Sequence, residues 1–230
     1  MRRVLTALVA VGVAGCVQAA RLAPPPGLAA AEPMDLAGLD GRREGRFRAG
    51  ADAGTFTRDE TRLGVFDPLF VRRSTTATFT LEGPSFAAPL TGDCAGGQDE
   101  ATVGGVTGRV TPFRYECAFS DGGALRLEAV YEGLSGQLSK EARRGSLSLE
   151  GRSFALRSLH AYAGGAFESA TPVGHEIAEN GRAVAALDLS DVEPRLALAP
   201  GLDPTARRAA LAAAAALGLM ADPAESPLDG

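Results

Sequence analysis

Few side chains of this 230-residue chain could do covalent chemistry, and they stand apart from one another. The histidines are His160 and His175. A histidine acts as a base when it sits beside a nucleophile and is oriented by a third group. Neither lies in an H-E-x-x-H zinc motif, and although Glu176 follows His175 directly, adjacent residues of a strand point to opposite faces. Gly133-Leu134-Ser135-Gly136 falls short of the G-x-S-x-G nucleophile elbow and has no strand-turn-helix context. Gly104, Gly105 and Gly108 form neither a phosphate loop nor a dinucleotide fingerprint. Asp93, Asp99, Glu100 and Glu116 either cluster as carboxylates or make an ordinary acidic surface. The expectation is a non-enzymatic protein without catalytic residue, cofactor or metal site, in which both histidines are structural. The rival is a hydrolase on a β-sandwich with His160 or His175 in its site.

The cysteines carry a different chemistry. Arg2-Arg3 form a positive start, Val4 to Val13 an apolar run, and Val13-Ala14-Gly15-Cys16 follows at the cleavage position. This arrangement resembles the lipobox of bacterial lipoproteins, which implies that residues 1–15 are a signal peptide and that Cys16 is acylated; the alternative is an ordinary secretory signal cut elsewhere. The apolar run is too short to span a bilayer, whereas several acyl chains on one cysteine give a stable anchor. Val17 rather than aspartate after the cysteine, by resemblance to Gram-negative lipoproteins, implies an outer-membrane anchor facing the periplasm. Cys94 and Cys117 then remain in an oxidising compartment, as a disulfide or as two buried thiols, with no neighbour at metal-ligand spacing.

The formal charge is −5, and without Arg2 and Arg3 it becomes −7, with 21 basic residues facing 28 acidic ones. Nucleic acid is therefore not an expected partner. A membrane contacted through the N-terminal lipid is expected, with a lipid or an envelope protein as further partner.

The elements around these residues read as follows. Residues 16–45, with Pro24-Pro25-Pro26 and clustered alanines, suggest a tether, and Arg42-Arg43-Glu44-Gly45-Arg46 closes it either near anionic headgroups or in solvent. A single β domain is expected over 46–222, followed by a tail over 223–230. Phe113, Tyr115, Cys117 and Phe119 alternate with polar neighbours, as do Leu125, Leu127 and Ala129, which puts these apolar sets on an inward face. Leu81-Glu82-Gly83-Pro84-Ser85-Phe86-Ala87 recurs as Leu149-Glu150-Gly151-Arg152-Ser153-Phe154-Ala155, both copies suggesting strand, tight turn, strand. Residues 135–144 suggest a short helix or an exposed crossing. Asn180-Gly181 is a strong hairpin signal. Asp203 is a good N-cap and Pro204 suits the first position of a helix over 204–221, whose Ala209 to Met220 run has no polar face. A helix apolar all round must be buried on every side. Roughly ten to twelve antiparallel strands precede it, so the expected fold is a mainly β barrel closed around this C-terminal helix, or else a β-sandwich with the helix packed outside.

Gly174-His175-Glu176-Ile177, Asn180-Gly181-Arg182-Ala183-Val184-Ala185, Leu196-Ala197-Leu198-Ala199-Pro200-Gly201-Leu202-Asp203-Pro204 and the following helix together resemble the end of tubby-like proteins, in particular the LURP-one-related and phospholipid-scramblase branch. The resemblance implies a 12-stranded barrel around a hydrophobic C-terminal helix. No phosphoinositide-binding motif carries over, and Arg72-Arg73, Arg143-Arg144 and Arg207-Arg208 are expected at solvated strand or helix ends. The chain as a whole also resembles proteobacterial lipoproteins.

Overall fold

The computed structural model describes residues 21–65, 69–103, 106–132 and 140–221. Cys16, the lipobox, the Gly104-Gly105 pair and the Gly133 to Gly136 segment lie outside the described residues. Twelve strands run in chain order: β1 (Met34–Ala37), β2 (Glu44–Ala49), β3 (Asp52–Val65), β4 (Phe70–Glu82), β5 (Leu90–Val103), β6 (Val106–Phe119), β7 (Ala124–Glu132), β8 (Lys140–Leu149), β9 (Arg152–Leu159), β10 (Gly174–Glu179), β11 (Arg182–Asp188) and β12 (Arg195–Leu198). Each pairs antiparallel with the next, and β12 pairs with β1, closing the sheet. Closure gives every strand a neighbour on both sides, although among the described residues β6 and β7 are paired only from Arg114↔Glu128 to Ala118↔Ala124, towards their 120–123 connection.

The helix α1 (Pro204–Gly218) runs through this barrel. Its start follows from the local sequence: Pro204 has no N–H to leave unpaired, and Asp203 accepts a 2.9 Å hydrogen bond from the Ala206 N–H. Every residue from Ala209 to Leu217 is buried, and the helix touches strands on opposite sides of the barrel, β4 and β5 as well as β8, β11 and β12. Alanine side chains keep the helix slim enough for the bore, while Phe47, Phe79, Phe113, Tyr115 and Phe154 fill the wall around it. Where a ring needs room the facing strand carries glycine; a Cβ on Gly92 would come within 2.5 Å of the Phe79 ring.

Cys94 and Cys117 are partners in register across β5 and β6 and form a disulfide inside the barrel wall. The alternating sets Phe113 to Phe119 and Leu125 to Ala129 face inward, in agreement with their period.

Three expectations need correction. Residues 21–45 are not a free tether, because β1 closes the barrel and Leu22 and Leu28 pack with Val173 and Ala186 in a second small core on the outer face. Residues 140–149 are a strand rather than a helix or crossing. The repeated heptad folds in two ways. Glu150 and Gly151 take φ of 49° and 74° and form a two-residue turn, whereas Pro84, with no N–H and a fixed φ, is part of a longer connection to Leu90 that is held by Asp52, which accepts from the Ser85 N–H and Oγ–H.

The barrel has two unlike ends. At the closed end the short connections 50–51, 120–123, 150–151 and 180–181 gather round the first turn of α1. There Arg152 bridges Glu179 and Asp203, Arg208 meets Glu150 and Asp121, and Arg207 donates to Ser85 Oγ. At the other end, the mouth, α1 stops short and the connections 38–43, 160–173 and 189–194 surround an opening.

Candidate functional site

The barrel interior changes character along its axis. On β3, parity places Asp52, Gly54, Phe56 and Arg58 on the inner face in that order, and on β4 it places Leu81, Phe79, Ala77, Thr75 and Arg73. Going towards the mouth, then, the inner wall passes from rings and leucines to arginines. Gln98 and Glu100 on β5, Glu141 and Arg143 on β8, and His175 on β10 continue the polar ring. The last carbonyls of α1 point the same way and carry the negative end of the helix dipole, which favours cations here.

Arg143 is 1% exposed and holds Glu141 through Nη2 at 2.9 Å and Nε at 3.3 Å. Its guanidinium lies 4.7 Å from the centre of the Phe113 ring, and Nη1 faces Met220 Sδ at 3.9 Å. Burying such a pair is costly, and the ring contact and the second hydrogen bond to the carboxylate offset part of that cost.

A cavity of about 520 Å³ occupies the mouth, within the range of small-molecule sites. Leu39, Pro172, Leu189, Pro194, Leu217 and Met220 give it an apolar wall; Arg58, Arg143 and His175 give it a polar one, and Arg43, Asp59, Glu60 and Asp191 also line it. His175 is fully buried, and neither ring nitrogen has a hydrogen-bond partner among the described residues. Burial, with the nearby Arg143 charge and His160 adding to it, pushes its pKa down to about 3, so the ring is neutral at neutral pH. It offers one donor and one acceptor. Arg58 is half-buried, its pKa lowered by desolvation, with Asp40 and Glu60 attracting it from a distance. Its Nε donates to the Arg42 carbonyl at 2.8 Å, and among the described residues it makes no ion pair.

His160, the other histidine, is not on the cavity wall. Its Nε2 meets Ser158 Oγ at 2.9 Å and its Nδ1 meets the Ser169 carbonyl at 3.0 Å, which sets Nδ1 as the donor and Nε2 as the acceptor of the Ser158 proton. The same Ser158 Oγ accepts from the Arg143 N–H at 2.8 Å. The carboxylates Asp93, Asp99, Glu100 and Glu116 do not cluster: Asp99 pairs with Arg72, Glu100 with Arg73, Glu116 with Arg126, and Asp93 accepts from Thr78.

The arginine pairs were expected at solvated ends, and one member of each departs from that. Arg73 and Arg143 are buried inside the barrel, and Arg208 is nearly so, because neighbouring strand residues must face opposite ways and the closed end binds the helix start. Sequence reasoning passed over Arg58, Glu141 and Arg143 as site residues. The signal was present in the parity of Phe56 with Arg58, two residues apart on one strand.

Comparison with known proteins returns no matching family model, no matching curated protein and no matching solved structure.

Proposed function

We propose that the chain is a non-enzymatic, lipid-anchored envelope protein, held at the outer membrane by acylated Cys16, whose barrel mouth binds a small amphiphilic anion. The observation that carries this is His175: a fully buried imidazole on a cavity wall with both nitrogens unpartnered among the described residues. Leaving a buried polar group unsatisfied costs about 1–3 kcal/mol, and a ligand that hydrogen-bonds it recovers that cost. Arg58 supplies the countercharge, and Leu39, Leu217 and Met220 supply the apolar surface. Calorimetric titration with decanoate tests the proposal. Saturable 1:1 binding, weakened at least tenfold by Arg58→Leu and by His175→Phe, is expected. Absence of saturation, or binding indifferent to both substitutions, would refute it.

The Ser158–His160 hydrogen bond keeps a hydrolase as the second reading. Labelling by a fluorophosphonate that Ser158→Ala abolishes would establish it. A serine that already accepts from the Arg143 N–H, away from the cavity, is expected to stay unlabelled.

A further inference from the structure

The large hydrophobic side chains left exposed among the described residues are Leu63, Leu69, Val110, Val130, Phe167 and Val192. Exposed hydrophobics scattered over a surface need no explanation, but these are not scattered. Leu63 lies two residues from the mouth end of β3, Leu69 precedes β4 at the same end, and Val110 and Val130 lie on the mouth halves of β6 and β7. Phe167 and Val192 sit in the mouth connections 160–173 and 189–194, 87% and 72% exposed. The closed end has none among the described residues.

The chain enters the described structure at this same end. The Arg21 carbonyl accepts from the Ala163 N–H at 2.7 Å, Ala23 donates to the Ala161 carbonyl at 2.8 Å, and Leu22 bridges to Tyr162. Arg21 is thus fixed beside the connection that carries Phe167. Cys16 lies five positions upstream of Arg21, so its Cα, the attachment point of the acyl anchor, is held within about 18 Å of Arg21. The strapped segment 21–33 makes this attachment short, where a free tether would have let the barrel take any orientation. Arg42 and Arg43 stand in the mouth connection 38–43, both largely exposed, and each has a carboxylate beside it, Asp40 at 2.8 Å and Asp59 at 3.7 Å, so docking rests on the apolar side chains and the short leash rather than on charge.

We infer that the mouth of the barrel docks on the phospholipid bilayer that holds the Cys16 anchor, with Phe167 and Val192 at headgroup depth and the closed end directed away. This rests on the acylation of Cys16 proposed above. An exposed aromatic on a short leash is an interfacial contact of the kind that adds a second membrane signal to an acyl anchor. Docked in this way, the cavity opens onto the membrane, where an amphiphilic anion would be found.

The test uses the full acylated protein in phospholipid vesicles, with a polarity-sensitive fluorophore on Phe167→Cys or on Ser153→Cys, an exposed residue near the closed end. A nitroxide carried on the lipid is the quencher. Quenching severalfold stronger at position 167 than at 153 is expected. Equal quenching in protein that floats with the vesicles overturns the orientation and leaves the anchor standing. Quenching at neither position, with crosslinking through position 167 to another protein, assigns the rim to a protein and also overturns it. Protein that carries no acyl group and does not float overturns both.

Discussion

The phenol of Tyr115 on β6 donates a 2.9 Å hydrogen bond to the carbonyl oxygen of Ala216, near the end of α1. The last carbonyls of a helix have no intrahelical partner, and Ala216 is fully buried, so its carbonyl needs a partner from the barrel wall. Barrel wall and central helix are therefore joined by a polar contact as well as by packing. Tyr115→Phe keeps the ring and removes the donor, and is expected to cost about 1–3 kcal/mol because a buried acceptor is left unsatisfied. Urea unfolding measures this, and a midpoint within error of wild type would show the contact to be idle.

His175 should make stability depend on acid. Folded, it stays neutral down to about pH 3; unfolded, it binds its proton near pH 6.5. Its contribution is fully present above pH 6.5 and is lost as pH falls towards 3, at up to about 1.4 kcal/mol per pH unit. His175→Gln should flatten the fall in urea midpoint between pH 6.5 and 4. An unchanged slope would mean that the imidazole ionises freely in the fold.

The helix should reject every larger or charged side chain. Ala213 and Ala214 are fully buried, so Ala214→Leu should cost about 1–3 kcal/mol by overpacking, and Ala214→Asp several kcal/mol by burying an unpaired charge. A scan of aspartate substitutions from Ala209 to Ala216 followed by thermal unfolding checks it. Two neighbouring positions that accept aspartate without loss would place a helix face in solvent.

Joining β5 to β6, the disulfide constrains a sequence separation of 23 residues. Replacing both cysteines by alanine is expected to cost about 2–4 kcal/mol, measured by denaturant unfolding against the oxidised wild type. An equal loss on reduction of the wild type would attribute the effect to the bond rather than to the lost sulfur volume.

Much of the fold was legible because two signals are local. The period-2 sets on β6 and β7 fixed their own inward faces, and an Ala/Leu run with no polar side had to be enclosed by something. The strap over 21–33 was not legible, since Leu22 and Leu28 gain their burial from Val173 and Ala186, far away in sequence. Nor did residue type reveal the cavity. Arg58 and Arg143 resemble surface residues by composition, and only strand parity combined with the length of α1 brings them inside, at the level where the helix has ended and its dipole can offset their charge. His175 was read as a structural histidine; that it is fully buried with both ring nitrogens unpartnered among the described residues depends on what the neighbouring strands present.

Native mass spectrometry of the protein extracted gently from its own membrane tests the binding claim most directly. Wild type should carry a small amphiphilic anion, released on denaturation, and the Arg58→Leu, His175→Phe double variant should fly at its bare acylated mass. A wild type that is bare, or a variant that retains the same adduct at the same occupancy, would contradict binding at the barrel mouth.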